Sequence, residues 1–371
     1  MDRKSLALPS NRSLVYLSHL LLRPQSRDTG IAPQELALGP APNSIQPNDI
    51  DDLLALARLH HVIVRGLDAF LELHRNLQGA APVQWAEHAL AAERVRISKA
   101  VYSLHRICHT FHHQGYDATV IKTLDHWPDF GSDLDLFTTA SPEDVRRLME
   151  DRFVARIQPR SWGDHLANKW NFLIPGLPEP VEVHVSRLGQ TGEQSLIAAT
   201  LGARARRAMI GGYLFPITSI SDRLMIAALQ RMYRHFNLRL CDILDTLAIA
   251  DAGIIDYEHL REVAGAAGIW EGVATYLRVV SDYAATYRGV GIRLPSFVTT
   301  AAQFGGDSLY FANGYLRVPI VPQSAQLYKT ELAHVLGRGE LHNGARLSLL
   351  PLLGTAAAAK QKLTGSNEGI W

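Results

Sequence analysis

Two short runs constrain what this chain can become. Val181-Glu182-Val183-His184-Val185 alternates strictly between β-branched and polar residues, the pattern of a half-buried strand. Asp133 and Asp135 flank Leu134 ahead of Leu136 and Phe137. Successive side chains of a strand point to opposite faces, so Asp133 and Asp135 project together and Glu182 shares a face with His184. Two carboxylates that close resist ionising side by side. A divalent cation between them removes the conflict, and hard oxygen ligands suit Mg²⁺ or Mn²⁺. Asp-x-Asp alone also describes a solvated edge strand, so the third acid carries weight. Three acids on adjacent strands are the minimum that can hold two cations about 3.5–4 Å apart for in-line phosphoryl chemistry.

The order of elements lets one sheet collect these acids. Ser141-Pro142-Glu143-Asp144 opens a helix, with Ser as N-cap, Pro in the first turn and acids at the positive dipole end. Strands are expected from Phe153 to Gln158 and from Leu166 to Ile174, where Trp170, Phe172 and Ile174 alternate. The N-terminal third reads as helix: Leu14 to Leu22, a periodic run from Leu53 to Leu73, and a long helix from Pro82 to Gln114 closed by Gly115. Residues 23–47, rich in proline, read as a loop or extended arm. After the sheet, helices are expected from Ser221 onward, from Leu238 to Ala250, from an Asp256 cap to Ala267, and on to residue 288, an all-helical region. Arg346 to Ala359 reads as a buried helix broken by Pro351. The expected fold class is α+β, a small mixed sheet (116–215) between N-terminal helices (1–115) and a C-terminal helical domain (216–371).

Ser132-Asp133-Leu134-Asp135-Leu136 resembles the acidic strand of the DNA polymerase β-like nucleotidyltransferase superfamily, with Glu182 similar in placement to its third acid. Residues 50 to 280 look like the branch called uncharacterised nucleotidyltransferases. There, a strand ending in Lys-Gly precedes the acidic strand, and a later helical region carries an Arg with an Asp six residues on. Here the Lys is Lys122, and the later pair is Arg239 and Asp245. The chain departs from that pattern in two places. Thr123 stands where a glycine pair usually follows the first strand, Gly131-Ser132 abutting Asp133 instead, and the third acid is Glu rather than Asp.

The resemblance implies transfer of a nucleoside monophosphate from an NTP, with ATP the first to consider, to an acceptor hydroxyl with release of pyrophosphate. Asp133 and Asp135 would bind both of two Mg²⁺ (or Mn²⁺) ions. Glu182 would hold the metal on the acceptor side and could take up the hydroxyl proton. Lys122, Gly131, Ser132, Lys169, His184 and Arg239 are the candidate nucleotide and phosphate contacts, with Arg187 a weaker one and Asp245 orienting Arg239 as a bidentate partner. Arg231, Arg234 and His235 belong either to the same clamp or to an ordinary solvated face; Arg204, Arg206 and Arg207 read as a surface run. Two other readings stay open: an Asp-x-Asp glycosyltransferase acting on a nucleotide sugar, and a non-catalytic relative that binds nucleotide or scaffolds a partner.

Composition removes some alternatives. The net charge of +1 provides no field to gather long nucleic acid or an acidic membrane, so a small molecule or a protein is the expected acceptor. Two cysteines, Cys108 and Cys241, form no CxxC and no disulfide framework, which points to the reducing cytoplasm. No stretch reaches the roughly 18 apolar residues of a membrane span. His105, His109, His112 and His113 each follow a member of the apolar stripe on the long helix, and are expected on its boundary face rather than on zinc.

Overall fold

The computed structural model describes residues 11–22, 47–77 and 80–350. The arm expected at 23–47 lies, but for its last residue, outside them, as does the continuation of the C-terminal helix past 350. Helices α1 (Asn11–Leu22), α2 (Pro47–Leu59), α3 (Ile63–Leu73) and α4 (Ala81–His113) precede the first strand. Then follow β1 (Thr119–Val120), β2 (Leu134–Thr138), α5 (Pro142–Phe153), β3 (Arg156–Ile157), α6 (Trp162–Ala167), β4 (Lys169–Leu173), β5 (Val181–Val185), α7 (Ser195–Arg204), β6 (Arg206–Ile210) and β7 (Tyr213–Ile217). The C-terminal part holds α8 (Ile220–Ala228), β8 (Asn237–Leu238), α9 (Leu240–Asp251), α10 (Tyr257–Ala267), α11 (Trp270–Arg288) and α12 (Ser296–Ala301). It ends with β9 (Tyr310–Ala312), β10 (Tyr315–Arg317), α13 (Ala325–Gly337) and α14 (Leu341–Ser348).

The mixed α+β class stands. Seven strands form one sheet in the order β3-β4-β5-β2-β1-β7-β6, parallel at β2–β5 and β1–β7 and antiparallel elsewhere. Leu134, Leu136, Val181, Val183 and Phe172 are fully buried and belong to one apolar core that continues into the flanking helices. Burying each such side chain is worth about 1.5–3 kcal/mol. Among the described residues no helix is long and apolar enough to cross a membrane.

Several expectations need correction. The run Leu53–Leu73 is two helices, broken where His61 adopts φ 51; apolar periodicity continues through such a turn and does not register it. The strand expected from Phe153 shrinks to Arg156–Ile157, because α5 runs on to Phe153 and Val154 closes it in the left-handed conformation. Leu166 and Ala167 end helix α6, capped by Ser161 and Asp164, and the strand begins at Lys169. The region after the sheet is not all-helical: β8, β10 and β9 make a small antiparallel sheet from strands of two or three residues, too short to show a period. Hairpin β6–β7 extends the main sheet. Its arginine run is partly structural, since Arg204 clamps Asp222, with Nε at 3.1 Å from the carboxylate. His105 stacks on Tyr213 of this hairpin at 4.7 Å between ring centroids, on the helix border as expected.

Helix α5 starts as the sequence predicts. The Ser141 hydroxyl accepts the Asp144 amide at 3.1 Å. Ser141→Ala should therefore lower stability by about 1 kcal/mol, read as a shift of the denaturation midpoint. No change would mean that the orphan amides are satisfied by water.

Candidate active site

The sheet registers the acids. Asp135 stands directly opposite Glu182 on the parallel pair β2–β5, and Asn171 of β4 opposes Glu182 from the other side. Asp133 sits two residues before Asp135, on the same face, in the approach to β2. The loop after β1 brings in the counter-charges. Lys122 adopts φ 60, ψ −58, an uncommon conformation for a residue with a side chain. Such strain costs on the order of 1–3 kcal/mol and persists only where the surroundings hold it. The Lys122 ammonium pairs with Asp135 and lies 3.3 Å from Glu182 Oε1.

Thr123 does not replace the missing glycine as a phosphate loop. Its hydroxyl accepts the Asp135 amide at 2.7 Å and donates to the Asp133 carbonyl at 3.3 Å, tying the loop to the acidic strand.

Glu182 is fully engaged. Lys169 reaches Oε2 at 2.6 Å, His184 Nε2 lies 2.7 Å from Oε1, and Lys169 also contacts Asp164 at 3.1 Å. Burial opposes ionisation of Glu182, but Lys122, Lys169 and His184 outweigh it and hold its pKa well below the usual range. Lys122 is likewise kept charged: burial works against it, and Asp135, Glu182 and Asp133 overcome that. Asp133 differs. Burial and the neighbouring Asp135 and Glu182 push its pKa up to about 6, against a weaker pull from Lys122 and a Ser132 hydroxyl at 3.1 Å. Burial and like charges close by disfavour the ionised form of a carboxylate, and that is the cause of the rise.

These groups line a cleft of about 270 Å³ between the polar face of the sheet and the C-terminal helices. Lys122, Gly131, Ser132, Asp133, Asp135, Lys169, Glu182 and Arg239 all border it, together with Arg231, Arg234 and His235. The arginines arrive on the π-helical turn Leu229–Arg234 that extends α8, and on the residue before α9. Arg231 is committed to Asp242, 2.7 Å away and equally buried. Among the described residues Arg234 and Arg239 pair with no carboxylate. Asp135, Glu182 and His184 place one donor atom each within 4.8 Å of one another, a set that fits a hard divalent cation once Lys122 moves aside. His184 contacts Glu182 from within the sheet and borders a smaller neighbouring cavity.

Two expected contacts fall elsewhere. Asp245 does not orient Arg239. It binds Arg65 at 2.7 Å and His126 at 2.5 Å, with Arg223 at 3.8 Å, behind the cleft. Arg239 precedes α9 in an extended conformation, while Asp245 lies on its second turn, facing the 123–126 turn and the start of α3. The Arg239 guanidinium meets the ring nitrogens of His61 at 3.1 and 3.2 Å instead. Arg187 binds the Leu166 carbonyl at 3.1 Å and does not line the cleft.

His61, His126, Asp164, Asn171 and Gln230 also border the cleft without being singled out by sequence. Asn171 was legible, because the alternation of Trp170, Phe172 and Ile174 places it with Lys169 on the opposite face. His61 and His126 stand in turns, where no period marks them. No model of a known protein family matches the chain, and no curated protein matches it.

Proposed function

We propose that this cleft is a metal-dependent nucleotidyltransferase site. One observation supports the reading above others: Asp135 and Glu182 oppose each other in register, with Asp133 on the same face, at the floor of a cleft rimmed by arginines. In the reaction an acceptor hydroxyl oxygen attacks the α-phosphorus of an NTP. The bond from that phosphorus to the bridging oxygen breaks, pyrophosphate leaves with the electron pair, and the hydroxyl proton passes to solvent. Asp133, Asp135 and Glu182 would hold the Mg²⁺ or Mn²⁺ ions, which neutralise phosphate charge and lower the proton affinity of the hydroxyl. Glu182 would hold and orient rather than accept the proton, since Lys122, Lys169 and His184 keep its pKa well below the usual range and make it a weak base. Arg234 and Arg239 would take the β- and γ-phosphates, Arg239 by leaving the His61 ring on which it rests, and Lys122 would become available to the triphosphate once a cation replaced it. Catalysis of this kind is positioning and charge neutralisation, with no covalent nucleophile.

A second reading has its own support. The Lys122 ammonium already bridges Asp135 and Glu182, and Thr123 is locked to the acidic strand. A chain that kept this state would bind nucleotide without turning it over. Incubation with α-³²P-labelled NTPs, Mg²⁺ and cell extract separates the two: label transferred to an acceptor supports the enzyme, whereas calorimetric binding without transfer supports the second reading. Absence of both rejects both. For the enzyme, Glu182→Gln should lower turnover by about 10²–10³ with a smaller effect on NTP affinity. Equal losses in the two would argue against a role at the reacting centre.

A further inference from the structure

We propose that His61, His126 and Cys241 form a second metal site, selective for a soft or borderline divalent ion of the Zn²⁺ kind. It shares the rim of the acidic cleft, which His61 and His126 border, and uses none of its carboxylates. The three side chains come from the turn between α2 and α3, the turn after β1, and the start of α9. Each places one donor atom within 4.8 Å of the others.

The spacing suits an ion. Zinc bonds of about 2.0 Å to nitrogen and 2.3 Å to sulfur, at a tetrahedral angle, set the two donors about 3.5 Å apart. Cys241 Sγ and His126 Nε2 are 3.8 Å apart. His126 is already oriented as a ligand. Its Nδ1 lies 2.5 Å from Asp245 Oδ2, which leaves Nε2 as the ring nitrogen facing Cys241; a metal ion there would take the place of any proton on Nε2, in the carboxylate–histidine–metal arrangement that fixes ring and tautomer.

His61 is delivered by its left-handed backbone, and its ring packs where Gly131 has no side chain. A Cβ there would lie 3.4 Å from Cε1 and 3.5 Å from Nδ1. The donor set is one sulfur and two imidazoles, which selects a different ion from the all-oxygen acids next door. His61 and His126 both border the cleft, so the fourth position opens toward it. The Arg239 guanidinium rests on the His61 nitrogens. Metal binding displaces it, and the ion thereby ties three distant segments together while releasing an arginine into the cleft.

Titration of the full chain with Co²⁺ as the probe tests this without nucleotide. One equivalent should bind with a near-ultraviolet thiolate-to-cobalt charge-transfer band. Zn²⁺ should abolish the band and Mg²⁺ should not, and Zn²⁺ should raise the unfolding midpoint. Cys241→Ser should lose the band and the Zn²⁺ effect, while Cys108→Ser keeps both. His61→Gln, which leaves the buried Cys241–His126–Asp245 chain intact, should weaken Co²⁺ binding at least tenfold and serves if the Cys241 variant does not fold. A wild-type chain with no charge-transfer band overturns the proposal. So does a band that survives Cys241→Ser, or a band that Mg²⁺ abolishes. Each of these results is independent of whether the cleft transfers nucleotide.

Discussion

Asp133→Asn should abolish Mg²⁺-dependent nucleotide transfer, by about 10³-fold or more, and yet raise the unfolding midpoint at pH 7 in the absence of metal. The sign follows from proton affinity. The folded chain holds the Asp133 proton up to about pH 6, against an ordinary value of 3.8. Folding is therefore unpenalised below that ordinary value, loses stability as the pH rises through the interval between the two, and carries the full penalty above pH 6. Each tenfold change in proton affinity is worth about 1.4 kcal/mol, and partial exposure of the side chain screens the sum, so the gain from Asn is about 1–2 kcal/mol. Thermal unfolding of both chains at pH 3, below the ordinary value of 3.8, and at pH 7 checks it. The gain should vanish at the lower pH, and a variant that transfers nucleotide normally would remove Asp133 from the site. Asp135→Ala tests function less cleanly, since it leaves the buried Lys122 ammonium with Glu182 as its remaining close carboxylate.

Asp245→Ala should be among the most destabilising single changes, costing about 3–5 kcal/mol, because it removes the acid shared by Arg65, His126 and Arg223, taking from His126 its carboxylate and leaving Arg65 with Asp129 and Arg223 with Asp125. Arg65 in turn holds Asp129, which accepts the Val64 amide at 2.5 Å. The loss would thus propagate to the start of α3. Arg239→Ala should cost little stability and should weaken NTP binding. A double-mutant cycle by chemical denaturation separates the pairs: Arg65 and Asp245 should couple by more than 1 kcal/mol, Arg239 and Asp245 by less than about 0.5 kcal/mol. Strong coupling of Arg239 to Asp245 would restore the partnership that spacing alone suggests.

The contrast shows where sequence reading reaches its limit. Period-two alternation is a direct record of which way a strand side chain points, so Asp133 could be paired with Asp135, and Glu182 with His184, before any coordinates; that the two pairs and Lys169 share one face follows from the register of the sheet. Caps are equally local, and Ser141 and Asp256 act as read, each side chain accepting the amide three residues on. Pairing between helices is not local. Whether Asp245 meets Arg239 or Arg65 depends on how α9 rotates against α3, and that is decided by packing of the whole apolar core. Turns are the other blind spot. His61 and His126 owe their positions to a left-handed backbone and a short 3₁₀ turn, which leave no repeat in the chain. The two- and three-residue strands β8 to β10 are too brief for alternation to accumulate.

The strained lysine after β1 has a consequence for how ligands would arrive. An ammonium group already faces both acids, so an ion bound there as proposed would have to evict a resident before it could settle. On the proposed function, a triphosphate would offer the evicted side chain a new partner. Ion alone and nucleotide alone should each bind weakly, and each should strengthen the other by the same factor. The chain is in this sense buffered: a dense knot of negative charge is held by a tethered counter-ion of its own.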